Sequence, residues 1–138
     1  MESTSPLNYL SVWLMLGWGL ILSIIYLSLD THPPQIMSFQ YVDKLGHTLA
    51  YATLMGWFTQ FQFSSRQILR NALLFILLGV ILEILQGIGG VRYFEYADMA
   101  ANSSGVVLGW LLSGYVLRGW LAVMDRKLYA RMTLEKSK

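Results

Sequence analysis

The chain has 138 residues, 55% of them hydrophobic and only 13% charged. A water-soluble domain carries about a quarter charged residues, so the composition excludes an ordinary soluble enzyme and points to a membrane protein. There is no cysteine, which removes disulfides and thiolate nucleophiles, and the net charge of +2 is too small to mark a nucleic-acid partner.

Four apolar stretches follow one another, in a length that suits one domain. The first, about 8–29 (NYLSVWLMLGWGLILSIIYLSL), holds no charge. It is long enough for a helix across a bilayer core, which needs roughly 20 residues. A cleaved signal peptide is not expected: no Lys or Arg precedes the stretch, it is too long, and no A-x-A-like site follows. His32, Pro33 and Pro34 then stop the helix. The second stretch, about 42–63, has Asp43 and Lys44 at its start. Ser64 and Ser65 offer N-caps for the third, about 67–88, which contains LLFILLGVILEIL. A glycine-rich and then aromatic connection leads to the fourth, about 98–120. Runs like these satisfy their backbone in lipid only as helices. The expectation is an all-α integral membrane four-helix bundle with short loops, in one domain over 1–138.

Lys and Arg set the orientation. With four spans, Arg66, Arg70, Arg118, Arg126, Lys127, Arg131, Lys136 and Lys138 share the side of both termini, and the other side has Lys44 and Arg92. This bias places both termini in the cytoplasm. The tail, 121–138, has Leu121, Met124, Leu128 and Met132 on one stripe and Arg126, Lys127 and Arg131 largely elsewhere. It suits either a basic amphipathic helix on an anionic leaflet or a solvated extension of the fourth helix.

Polar residues recur at the outer end of three stretches. Asp43, His47 and Tyr51 stand at i, i+4 and i+8, Glu83 and Gln86 at i and i+3, and Asp98, Asn102 and Gly105 at i, i+4 and i+7. Each set forms one helix face. Helical rise places them in a layer roughly 5–13 Å deep, with Arg92 and Asp98 near its rim. Ionisable groups at such depth are expensive and usually face the protein interior. Glu83, flanked by Leu82, Ile84 and Leu85, must be protonated or paired with Arg92, Lys44 or His47. We expect Glu83 and Arg92 to be partners or neighbours. A bland reading stands beside this one. The set also suits an interhelical packing network, Asp43 and Asp98 suit helix N-caps, and Lys44 can snorkel.

Ala101, Gly105, Gly109 and Ser113 repeat every four residues on the fourth stretch. Such a ladder lets helices approach closely, within one chain or across a homo-oligomer.

The spaced pattern Asp43-Lys44-x-x-His47-x-x-x-Tyr51, Glu83-x-x-Gln86, Arg92-x-x-Glu95-x-x-Asp98-x-x-x-Asn102-x-x-Gly105-x-x-x-Gly109 resembles the VanZ-like family of small bacterial membrane proteins. The likeness covers about 40–112. It implies a multi-pass protein of the bacterial plasma (inner) membrane. The family's namesake is associated with low-level resistance to the glycopeptide teicoplanin.

Three functions fit the residues. The first is handling a lipid-linked, phosphate-bearing envelope component. Arg92 and Lys44 would meet the phosphate, and Asp43, His47, Tyr51, Glu83, Gln86, Glu95, Asp98 and Asn102 would line the site. The second is an enzyme with His47, Glu83 and Asp98 as acid and base, or as carboxylate and imidazole ligands of a divalent cation. The third is a scaffold. No Walker loop, HExxH or GxSxG is present, and no resident metal or cofactor is expected.

Overall fold

The structure is a computed structural model, and it describes residues 7–30, 42–61, 64–90, 94–115 and 119–136. Among these, every regular element is a helix: α1 (Leu10–Leu29), α2 (Val42–Thr59), α3 (Ser65–Ile88), α4 (Tyr96–Tyr115) and α5 (Trp120–Lys136). The first four lie on the four apolar stretches. α5 falls on the tail, for which the sequence offers a separate helix or an extension of the fourth, and the structure has a separate helix there. α4 stops at Tyr115, and α5 starts after Gly119, whose φ of +75° is a conformation that glycine adopts without steric cost. Hydropathy alone cannot register a break of this kind.

α1 and α3 are long and apolar enough to cross a membrane, with mean hydropathies of 2.0 and 2.3. α2 and α4 fall below that measure because polar residues fill part of one face: Asp43, Lys44, His47 and Thr48 on α2, and Asp98, Asn102, Ser103 and Ser104 on α4. The outer surface is greasy throughout. Met15, Trp18, Leu22 and Tyr26 of α1, Leu73, Leu77 and Ile88 of α3, and Val107 and Leu111 of α4 are all exposed. Contiguous apolar surface on this scale is rare on soluble monomers, and it suits lipid.

The most extensive helix contact is between α2 and α4, followed by α3 with α4. Small residues make it so. Gly105 lies on the Thr48 carbonyl and Gly109 on the Ala52 carbonyl, so closely that a Cβ at either glycine would overlap the oxygen. Ala101 and Ser113 of the same ladder are also buried. The ladder therefore packs α4 against α2 within the chain. Tyr51, Leu54, Met55, Ala72, Phe75 and Val106 form the core, with Leu20, Ile21 and Ile24 of α1 packed against it.

Two contacts fix the direction of α1. Gln86, near the end of α3, donates to the Ser28 carbonyl near the end of α1 at 2.7 Å. At the opposite end, Trp13 at the start of α1 meets Trp57 at the end of α2, whose indole donates to the Trp13 carbonyl at 3.1 Å. α1 and α3 thus run parallel, with α2 antiparallel to them.

The expected solvated or interfacial tail has a firm anchor. Asp125 of α5 is buried at the entry of α1, where it accepts hydrogen bonds from the backbone N–H of Asn8 (2.7 Å) and Tyr9 (3.0 Å), the Asn8 side-chain amide (2.8 Å) and the Trp13 indole (2.8 Å). Tyr9 provides no side-chain cap of its own. A carboxylate from the far end of the chain fills that role, at the end of α1 where the helix dipole favours negative charge. Along the tail stripe, Leu121 is buried, while Leu128 and Met132 are exposed.

Candidate functional site

α2 begins, α3 ends and α4 begins at one end of the assembly, so their polar faces meet there. The side chains form a gradient of exposure. Glu95 is 49% exposed, Asp43 38%, Lys44 25%, His47 14% and Asp98 4%. Glu83, Gln86, Asn102 and Tyr51 are fully buried behind them. The site has a rim, a wall and a floor.

Lys44 joins the elements at the rim. Its ammonium lies 2.5 Å from Glu95 Oε2, 2.5 Å from Asp98 Oδ1 and 3.8 Å from Asp43 Oδ2. An ammonium so placed offsets the cost of burying Asp98, which would be prohibitive for an isolated carboxylate. His47 stands one helical turn further in. Its Nδ1 is 3.0 Å from Asn102 Oδ1, and its Nε2 is 3.8 Å from Asp43 Oδ1 and 3.9 Å from Asp98 Oδ2. With the carboxamide oxygen facing the ring, the contact is a hydrogen bond in the tautomer that carries the proton on Nδ1, and Asn102 then sets the orientation of the imidazole. Asn102 has room because Gly79 lies beneath it, where an added Cβ would stand 3.0 Å from the Asn102 Cβ.

Three expected members do other things. Glu83 directs Oε1 to the Glu95 backbone N–H at 2.8 Å, which ties α3 to the entry of α4. Gln86 spends its amide on α1, as described above, and so braces the bundle. Tyr51 is buried, and its hydroxyl has no hydrogen-bond partner among the described residues. Arg92, and with it the expected pairing to Glu83, lies outside the described residues. The candidate acid–base set of His47, Glu83 and Asp98 therefore divides. Asp98, joined by Asp43, faces His47, and Glu83 holds a backbone amide.

Thr48 and Gly79 join the site although the sequence reading does not name them. The Thr48 hydroxyl donates to the Lys44 carbonyl at 2.9 Å and lies 3.3 Å from the Ala101 carbonyl, across the α2–α4 seam. Gly79 could have been noticed as a glycine one turn before Glu83 on the same apolar run.

Residues 5–118 match the family model described as VanZ/LLP1. The chain belongs to the VanZ-like family. No curated protein and no solved structure matches it. The VanZ-like region takes in α1–α4 and every residue of the site, and it stops short of α5. The Asp125 anchor thus joins a helix outside the family region to residues inside it.

Among the described residues, the VanZ-like site holds three carboxylates, those of Asp43, Glu95 and Asp98, around one lysine, with the buried Glu83 bound to the Glu95 backbone. Such a set can move protons between carboxylate and imidazole, or attract cations. Lys44 is already matched by Glu95 and Asp98, which lowers its pull on a phosphate.

Proposed function

We propose that this VanZ-like protein lies in the bacterial plasma (inner) membrane with α1–α4 all crossing it and both termini cytoplasmic. Its outward-facing polar site takes the headgroup of a lipid-linked, phosphate-bearing envelope component. The observation that carries this reading is the gradient of exposure from Glu95 to Glu83 within an otherwise apolar exterior. A site open only at a helix end is reached from the headgroup layer. Phe94 and Tyr96 stack edge to face beside it, with centroids 4.9 Å apart, and both are exposed. Aromatic rings of this kind favour the membrane–water boundary.

The four crossings rest on direction. α1 and α3 are parallel, so a chain that crosses with both must return through α2. Its 18 residues reach about 27 Å, close to the thickness of a bilayer core.

Mass spectrometry of lipids bound to the purified protein tests the headgroup reading. A phosphate-bearing lipid should be enriched over the bulk membrane and released by Arg92→Ala. Lipid content equal to the bulk would overturn it. A chemical role for the same site is favoured by the placement of His47 between two aspartates. An altered teicoplanin susceptibility on deletion of the protein would connect the site to envelope precursors.

A further inference from the structure

The two aspartates beside His47 divide their oxygens in the same way. Asp98 gives Oδ1 to Lys44 and turns Oδ2 toward His47 Nε2. Asp43 holds Oδ2 toward Lys44 and turns Oδ1 toward the same nitrogen. Lys44 thus holds Asp98 closely and lies beside Asp43, and one oxygen of each carboxylate points toward the ring.

The ring nitrogen between them has an unusual outlook. In the neutral tautomer whose Nδ1 proton goes to Asn102 Oδ1, Nε2 presents a lone pair to two carboxylate oxygens. Three electron-rich atoms then face one point, where a proton on Nε2 or a bound cation relieves their repulsion. The separations of 3.8 and 3.9 Å are too long for N–H···O hydrogen bonds, which span about 2.7–3.2 Å. They match ligand spacing. Atoms each about 2.1 Å from a shared cation stand roughly 3–4 Å from one another. All three candidate ligand atoms lie within 4.8 Å of one another. Asp98 is buried, whereas Asp43 lies nearer the rim, where a small side-chain shift would close the set on an ion.

We infer that Asp43 Oδ1, His47 Nε2 and Asp98 Oδ2 form a binding site for a divalent cation of the Mn2+ or Zn2+ class. Two hard carboxylates and one imidazole suit these ions. Asn102 is the outer partner that fixes the histidine tautomer, a role such partners play at most histidine–metal bonds. Lys44 tempers the total charge without occupying the ligand atoms. The remaining coordination positions face the rim, where a phosphate or water would complete them. A cation here would also supply the positive charge that the matched Lys44 does not. The site stands on its own geometry, and its test uses the metal alone, so a failed lipid assay leaves it untouched.

The experiment titrates Mn2+ into the full-length protein, purified in detergent and stripped with EDTA, and follows it by electron paramagnetic resonance. Saturable binding of one ion per chain is expected, with nitrogen modulation of the spin echo from a coordinated imidazole. In a background with the other histidine, His32, replaced, that signal marks His47. His47→Ala and Asp98→Asn should each weaken binding at least about tenfold, and Asn102→Ala by about 10–100-fold, as for other outer-partner losses. Helical circular dichroism identifies any variant that has unfolded, which is then replaced by Asp43→Asn. The inference fails if neither Mn2+ nor Zn2+ binds saturably by about 1 mM. It fails equally if binding shows no imidazole nitrogen or survives His47→Ala unchanged. A proton on Nε2 in place of a metal would give the first of these results.

Discussion

Gly105 and Gly109 set how near α4 can come to α2. The atoms they meet are backbone carbonyls, of Thr48 and Ala52, and a carbonyl cannot rotate out of the way as a side chain can. Gly105→Ala should therefore lower stability in detergent by about 1–3 kcal/mol, the usual cost of overpacking. Gly114→Ala, on the same helix but with open space around it, should stay within about 1 kcal/mol of the wild type. Denaturation followed by circular dichroism compares the two, and equal losses would refute the close-approach account. Gly105→Ala has a second consequence, since α4 carries Asp98 and Asn102 toward Lys44 and His47 on α2. At this scale, residue types and faces could be read from the sequence. Asp43, His47 and Tyr51 share a face by spacing alone. Partners could not be read in the same way. Gln86 turns to the Ser28 carbonyl, and because every residue carries a carbonyl, nothing in the sequence singles that one out.

Glu83 shows the same division between face and partner, and it allows a clean test of scaffold against site. Its Oε1 accepts the Glu95 N–H, a bond that the amide oxygen of a glutamine can keep. Glu83→Gln should leave stability within about 1 kcal/mol of the wild type, and Glu83→Leu should cost about 1–3 kcal/mol through the lost acceptor. Lipid retention that falls in Glu83→Gln while stability holds would assign the charge a role beyond packing. If both variants unfold alike, Glu83 serves the fold.

At the scale of elements, α1 depends on α5. Burial pushes the Asp125 carboxyl upward, but hydrogen bonds from the Trp13 indole, the Asn8 and Tyr9 amides and the Asn8 side chain outweigh it and hold the group below the ordinary carboxylate range. The sign follows from linkage. A depressed native pKa contributes stability that is full above the unfolded value, about 3.9, and is lost as pH falls through the native value. The anchor should thus hold across neutral pH and release only in strong acid. Asp125→Ala should free it at pH 7. Trypsin cleavage after Arg126, Lys127 or Arg131 should accelerate by about tenfold or more, the equivalent of one charge-assisted bond, while the melting of α2–α4 changes little. Unchanged proteolysis would mean that Asp125 carries no load. The helices themselves could be anticipated because long apolar runs have few alternatives in lipid. The anchor could not. Asp125 lies between Met124 and Arg126 in a tail that reads as basic, and its donors are more than 110 residues away.

The whole molecule turns on whether α2 and α4 cross the membrane, since only α1 and α3 are apolar enough by themselves. A polar stripe lowers the mean hydropathy of a helix, yet it costs little if that stripe faces other helices. The stripes of α2 and α4 face each other, with Gly105 and Gly109 closing the seam. The chain supplies its own labelling system because it has no cysteine. Single cysteines at Tyr96, beside the site, at Ser65, where α3 starts, and at Glu135 in α5 are all exposed. With four crossings and cytoplasmic termini, a membrane-impermeant maleimide should label Tyr96→Cys on intact spheroplasts, and Ser65→Cys and Glu135→Cys only after lysis. Two crossings would reverse the outcome at the first two positions. The chain would then stay outside from the end of α1 to Ser65, return through α3, and keep Tyr96 within. That path makes α1 and α3 antiparallel, which breaks the Gln86–Ser28 hydrogen bond between their ends. External labelling of Ser65→Cys would therefore remove the four-span topology and the outward-facing site together.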